Sequence, residues 1–469
     1  MRKRFAGFGS CHLLLPVLLF FPSGAEGAAL QDSQVDPLWG ASLIAKIDSV
    51  AGARLTEGPV ASLGIGVKRG DDVLLVKGYG LADIENQVSA KPETVYRIGS
   101  ITKQFTAAAV MQLVEAGEAG LDDSMTDYFP DYPTQGHEVT VRHLLTHTSG
   151  IKSYTGLETW QPKITLDLTD QELMDLFKDE PFDFEPGEAY RYNNSGFYLL
   201  GMLIEKVTSE SYKEYVKAHL FEPLGLGGTL YCDERPIIPW RAEGYSAVDG
   251  SLVNDSYLSM NQPGAAGALC STVPDLLAWS EALRSGEVVS SDSYGQMTTS
   301  MVLNDGSETG YGFGLGVRGL EGHPQVSHGG GINGFVTMLA HFPEADLDIV
   351  VLSNTESGSP GEITELIARW ALGIEVPSVL DEPLTGEEMA VYEGVYELRE
   401  GFEITVFARE GELFTRATGQ NEVRLRAQGN HVFVPTFDDE VRVVFEVEGG
   451  SATKLILHQN GVVEAPRIR

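Results

Sequence analysis

The chain has 469 residues, 42% hydrophobic and 21% charged, with 67 acidic against 33 basic side chains and a formal net charge of −34. That composition suits a globular protein of two domains rather than a disordered chain. Charge of this sign repels nucleic acid and anionic lipid surfaces, and no Lys/Arg cluster on a predicted helix relieves it, so nucleic acid is excluded as a partner.

The first residues, 1–27, read as a signal peptide. Arg2, Lys3 and Arg4 form a basic start, an apolar run covers 13–21, and Ala25-Glu26-Gly27 offers a small-residue cleavage site. The run is too short to span a bilayer, and no other stretch is long enough. The expectation is an exported protein, periplasmic or extracellular. After cleavage Cys232 and Cys270 remain. Their spacing leaves a disulfide and two separate buried thiols equally open, and neither sits in a CxxC context.

Two strand-like runs, 63–67 and 73–78, flank Lys68-Arg69-Gly70-Asp71-Asp72 and read as a hairpin. A helix follows over 100–118, with Phe105, Ala108, Ala109, Met111, Leu113 and Val114 on a broad apolar face and Gly120 as its stop. A mostly helical middle comes next. His143 to Gly150 closes one helix, 170–178 makes another, 197–207 is strongly apolar, and 275–283 is capped near Ser271 or Thr272. Strand texture returns at 335–342 and 347–353 around Pro343-Glu344-Ala345-Asp346, and 362–372 is a closing helix. Strands, a helical insert, strands and a last helix predict an α+β fold: an antiparallel sheet flanked by helices, plus an all-helical lobe. Residues 374–390 carry prolines and acids and read as a linker. From 391 to 469, closely spaced turns such as Glu410-Gly411, Gly429-Asn430 and Gly449-Gly450 separate about eight short strands, which suggests a small closed antiparallel β-barrel.

Three short elements carry chemistry: Ser100-Ile101-Thr102-Lys103, Tyr192-Asn193-Asn194 and His328-Gly329-Gly330. Ser-x-x-Lys occurs also at Ser149 and Ser451, but only Ser100 opens a long apolar helix after a strand-like run. Residues i and i+3 share a helix face, so the Lys103 amine can lie over the Ser100 hydroxyl. The lysine serves as a base only when burial or a neighbouring cation lowers its pKa. Taken alone, Ser100 reads as an N-cap, Tyr192 as a packed aromatic and His328 as a structural histidine. Their joint occurrence, in this order, points to acyl transfer through a serine. His143 and His147 are four apart, as helical metal ligands can be, but the HExxH glutamate is missing and no metal is expected. Gly310-Tyr311-Gly312-Phe313-Gly314-Leu315-Gly316 lacks phosphate-loop spacing and reads as strand backbone packed near the site. No Gly-x-Ser-x-Gly elbow suggests an α/β-hydrolase.

With these residues the chain resembles the serine β-lactamase and penicillin-binding superfamily, in the branch of class C-like homologues, esterases and D-amino-acid-specific peptidases. The resemblance covers about 43–372, and its domain is set at 40–373. It rests further on Tyr96 to Thr106, His143 to Gly150 and Glu185-Pro186-Gly187. The tail at 391–469 is similar to the lipocalin-like barrel appended to some members. The resemblance implies Ser100 as nucleophile, Lys103 and Tyr192 sharing proton transfer, and Asn194 on the substrate amide or on Lys103. It places the oxyanion between the N–H groups of Ser100 and Gly331, beside His328, Gly329 and Gly330. It implies no metal and no cofactor, and an ester, amide or peptide substrate. D-aminopeptidase, β-lactamase or carboxypeptidase, and a sensor that is acylated once without turnover are the alternatives. One departure matters: penicillin-directed members carry Lys-Thr-Gly or Lys-Ser-Gly where this chain has His328. A partly charged imidazole suits a substrate carboxylate less well than a permanent cation, so poor recognition of β-lactam or peptide carboxylates is expected.

Overall fold

The computed structural model describes residues 37–469 except 234, 377–380, 400, 421, 438–440 and 460–461. The expected signal peptide, 1–27, lies outside the described residues.

The hairpin expected at 63–78 forms as β1 (Ser62–Arg69) and β2 (Asp72–Asp83), with β3 (Val88–Ser89) beside it. Far along the chain come β4 (Gly316–Leu320), β5 (His323–Ile332), β6 (Phe335–Phe342) and β7 (Leu347–Ser353). These join the hairpin in one antiparallel sheet of order β3-β2-β1-β7-β6-β5-β4. Two-residue alternation gives the central strands two apolar faces. Leu63, Ile65, Val67, Ile349 and Val351 pack against helices α1 (Pro37–Glu57) and α5 (Pro360–Leu372). Val350, Leu352 and Leu339 pack toward α2 (Thr102–Ala116) and α4 (Val273–Ser285) on the other side. Between lies the helical insert, whose centre is α3 (Asn194–Thr208). The α+β architecture expected from the sequence is therefore present.

Two boundaries differ. Gly117, in the left-handed region at φ 73°, caps α2 and accounts for its end three residues before Gly120. The segment 310–316 is mostly turn; only Gly316 enters β4.

The C-terminal eight strands run in sequence order: β8 (Gly394–Arg399), β9 (Phe402–Arg409), β10 (Glu412–Ala417), β11 (Glu422–Gly429), β12 (Val432–Pro435), β13 (Arg442–Glu448), β14 (Ser451–His458) and β15 (Val462–Pro466). The ends meet through a Tyr396–Arg467 bridge and an Ile468 N–H bond to Val395 O at 2.7 Å, which nearly closes the barrel. Side chains fill its interior: Tyr392, Tyr396, Phe433, Phe445 and Leu455 form one core. The segment read as linker is not irregular to its end. Thr385 and Glu388 form a capping box that starts a helix at Gly386–Ala390, and Met389 is buried in the barrel core.

Candidate active site

Ser100 sits in a 3-10 turn, Gly99–Ile101, immediately before α2. That turn lies backbone to backbone on β5. A β-carbon on Gly99, whose φ is 51°, would fall 2.9 Å from Gly331 N, and one on Gly330 would fall 2.0 Å from Ile98 O. Only glycines on both sides permit this approach. The Thr337 hydroxyl of β6 donates to Ile98 O at 2.9 Å and fixes it. Ser100 and the His328-Gly329-Gly330-Gly331 strand, 230 residues apart in sequence, thus share one wall of the site.

Lys103 is fully buried in α2, and its Nζ lies 3.1 Å from Ser100 Oγ. Its other partners are Asn194 Oδ1 and Ala266 O, each at 2.8 Å, and no carboxylate is among them. Burial holds the amine well below its ordinary pKa. A neutral amine has two hydrogens and one lone pair. Asn194 and Ala266 can take both hydrogens, which leaves the lone pair toward the Ser100 hydroxyl. The Asn194 orientation is set independently, because its Nδ2 donates to Thr155 Oγ1 at 3.1 Å.

The Tyr192 hydroxyl lies close enough to Ser100 to influence its own titration, and Lys103 Nζ stands 4.7 Å from the Tyr192 ring centroid. The residue as a whole is partly exposed, but desolvation at its hydroxyl end raises its pKa, so the phenol rests protonated. Asn193 caps α3 through Gly196 N–H at 2.9 Å and donates its amide to Ile151 O. Ser153 Oγ accepts the Asn194 N–H at 3.2 Å. The loop after His147 is in this way laced to the Tyr192-Asn193-Asn194 element. Gly150, at φ 73°, makes that loop possible, since a β-carbon there would lie 2.0 Å from Phe184 O. Thr148 O accepts from Gly187 N at 2.9 Å, which packs Glu185-Pro186-Gly187 against the same loop.

His328 is neutral and fully engaged. Its Nδ1 donates to Gly329 O at 2.6 Å, and its Nε2 faces the Tyr311 hydroxyl at 2.9 Å and accepts from it. Burial, the largest cause, pushes its pKa down to about 3.

Every residue singled out from the sequence lies in this cluster: Ser100, Lys103, Tyr192, Asn194, His328 and Gly329 to Gly331. The other two Ser-x-x-Lys matches do not form pairs of this kind. Lys152 pairs with Asp183, and Ser451 opens barrel strand β14. Sequence reasoning missed Ala266 and Thr155, and it named Tyr311 and His147 without giving either a role in the site. His147 does not share a helix face with His143. The helix ends at Leu145, and His147 sits at φ 59°, buried, with Nδ1 accepting the Asn193 N–H at 3.1 Å. The signal for His147 and Tyr311 was their place inside segments already noted, the 143–150 run and the 310–316 glycines.

A cavity of about 470 Å3 adjoins the cluster, lined by Tyr190, Tyr192, Tyr311, His328, Arg318 and Met338 among others. A larger groove of about 1110 Å3, walled by Phe221, Ile237 and Trp240, shares no residue with the cluster, whereas Tyr192, His328 and Gly329 line the smaller one.

A buried lysine with a lowered pKa on a serine at a helix start, beside an antiparallel sheet, defines a serine hydrolase scaffold. The chain belongs to the beta-lactamase family, whose model matches residues 47–373. It is 28% identical over 426 residues to penicillin-binding protein 4* of Bacillus subtilis (strain 168), covering 84% of this chain and 92% of that one. It is 26% identical over 366 residues to a D-aminopeptidase of Gluconobacter oxydans (strain 621H), covering 76% of this chain and 67% of that one. The octameric penicillin-binding protein homologue from Pyrococcus abyssi superposes with a TM-score of 0.66 at 27% identity, over 90% of this chain and 99% of that one. Among the described residues no helix is long and apolar enough to cross a membrane.

Proposed function

We propose that the protein is an exported serine hydrolase that cleaves an ester, amide or peptide bond through an acyl-Ser100 intermediate. The observation that carries this reading is Lys103 Nζ at 3.1 Å from Ser100 Oγ, buried and without a carboxylate partner. Lys103 takes the Ser100 proton as Oγ attacks the carbonyl carbon; Tyr192, protonated at rest, gives its proton to the leaving group and is reprotonated from Lys103, so both groups return to their starting states. The N–H groups of Ser100 and Gly331 hold the oxyanion, and Asn194 holds Lys103 and the substrate amide. Water then repeats the sequence on the acyl-enzyme. No metal or cofactor enters these steps.

The D-aminopeptidase relative supports amides of D-amino acids as the substrates to screen first. The Cys232–Cys270 disulfide fits an oxidising compartment and so supports export. Residues 40–373 form the hydrolase domain and 391–469 a lipocalin-like barrel. The test is the time course of p-nitrophenyl acetate and butyrate hydrolysis beside Ser100→Ala. Steady turnover that disappears in the variant supports the reading; a single burst favours an acylated sensor, and turnover that survives Ser100→Ala overturns it.

A further inference from the structure

Two peptide N–H groups flank Tyr192, and His147 binds both. Its carbonyl accepts the Arg191 N–H at 3.0 Å, and its ring Nδ1 accepts the Asn193 N–H at 3.1 Å. At φ 59° a single residue presents carbonyl and ring to the same stretch of chain. The ring also packs on the side chain it brackets, with centroids 4.3 Å from Tyr192, 4.7 Å from Tyr311 and 5.1 Å from Phe197. Tyr192 needs such a hold, because it is 37% exposed while its hydroxyl must stay on Ser100.

The protonation state follows from the bonds. Nδ1 accepts, so the neutral ring carries its hydrogen on Nε2, and that atom has no oxygen or nitrogen partner among the described residues. A buried donor left unpaired is unfavourable. A phenylalanine would fill the same aromatic box without that defect. The imidazole is therefore explained by what Nδ1 does, which is to fix the Asn193 peptide; Nε2–H is left facing aromatic rings, a weak contact at best.

We propose that His147 is the positioning residue of Tyr192, clamping the peptides on either side so that the phenol hydroxyl stays on Ser100. The inference rests on the acyl-serine reading for its catalytic consequence but not for the clamp itself. Asparagine tolerates the left-handed region and can offer Oδ1 where Nδ1 stands; alanine offers no acceptor.

The test compares His147→Ala, His147→Asn and the parent protein in p-nitrophenyl butyrate kinetics, with hydrogen exchange over 190–195 measured on each. A displaced catalytic group commonly costs about a hundredfold. The expected result is a kcat loss of about that size in His147→Ala with KM nearly unchanged, faster exchange at Asn193, and recovery of both in His147→Asn. Unchanged exchange at Asn193 in His147→Ala overturns the clamp whatever the activity. Faster exchange with kcat intact overturns the positioning role, as does His147→Asn restoring exchange but not kcat. Ser100→Ala is run beside them: activity that survives there marks failure of the acyl-serine reading, and the exchange result still decides the clamp.

Discussion

The Tyr311 hydroxyl donates to His328 Nε2 at 2.9 Å, while His328 Nδ1 is spent on Gly329 O. A neutral imidazole with both nitrogens occupied has no hydrogen left for a substrate carboxylate and no charge to attract one. Benzylpenicillin and peptides with a free C-terminal carboxylate should therefore be turned over far more slowly than neutral esters or amides. Efficient penicillin hydrolysis, measured by loss of β-lactam absorbance, would sink this account of the third element. Tyr311→Phe removes the donor and leaves Nε2 unpaired, a loss of about 1–3 kcal/mol in stability; thermal melting measures it.

The burial of His328 has a consequence for acid stability. Its folded pKa is about 3 against 6.5 for a free histidine. As pH falls below 6.5, the unfolded chain takes a proton that the folded chain refuses until about pH 3, so folding loses up to about 1.4 kcal/mol per pH unit from this group across that window. Above pH 6.5 its contribution is fully present. His328→Gln should flatten the fall of unfolding free energy with acid relative to the parent protein. Denaturant unfolding at pH 7, 6 and 5 checks it, and parallel curves for the two proteins would refute it.

Lys103 is placed for chemistry at the expense of stability. Desolvation lowers its pKa, so protonating it costs the folded state. Lys103→Met keeps the volume and removes that penalty. Activity should fall by about 10²–10⁴, the usual contribution of a positioned base, while the melting temperature at pH 6 stays level or rises. A variant that keeps its rate would rule out Lys103 as base.

How much of this was legible in the sequence depends on how local each signal is. The β6–β7 hairpin and the barrel strands could be read because period-two patterns and glycine turns are local. Ser100, Lys103, Tyr192 and His328 could be read because each sits in a short element with its own spacing. Tyr311 and Ala266 could not: each acts by one contact, an O–H on His328 and a carbonyl on Lys103, made across long separations by folding alone. His147 was visible but misassigned. Helical i,i+4 spacing suggested a shared face with His143, whereas the helix stops at Leu145 and a left-handed residue turns the ring inward. The end of the linker was missed for the opposite reason, since the cap formed by Thr385 and Glu388 is a local signal lost among prolines and acids.

Cys232 and Cys270 are bonded, with Cα atoms 5.3 Å apart and a sequence separation of 38. Their loop contains Ala266, whose carbonyl holds Lys103. Replacing both by alanine should cost about 2–4 kcal/mol of stability and lower kcat more than it raises KM. Melting curves and steady-state kinetics of the double variant test the two parts separately.

Acyl transfer through Ser100 requires a covalent bond to its Oγ. The most direct measurement is acid-quenched mass spectrometry of the protein during p-nitrophenyl butyrate turnover, followed by peptide mapping. An acyl-Ser100 intermediate gives a butyryl increment on the peptide containing Ser100, absent from Ser100→Ala. Turnover with no adduct on Ser100 at any quench time, or with an adduct on another residue, would contradict it.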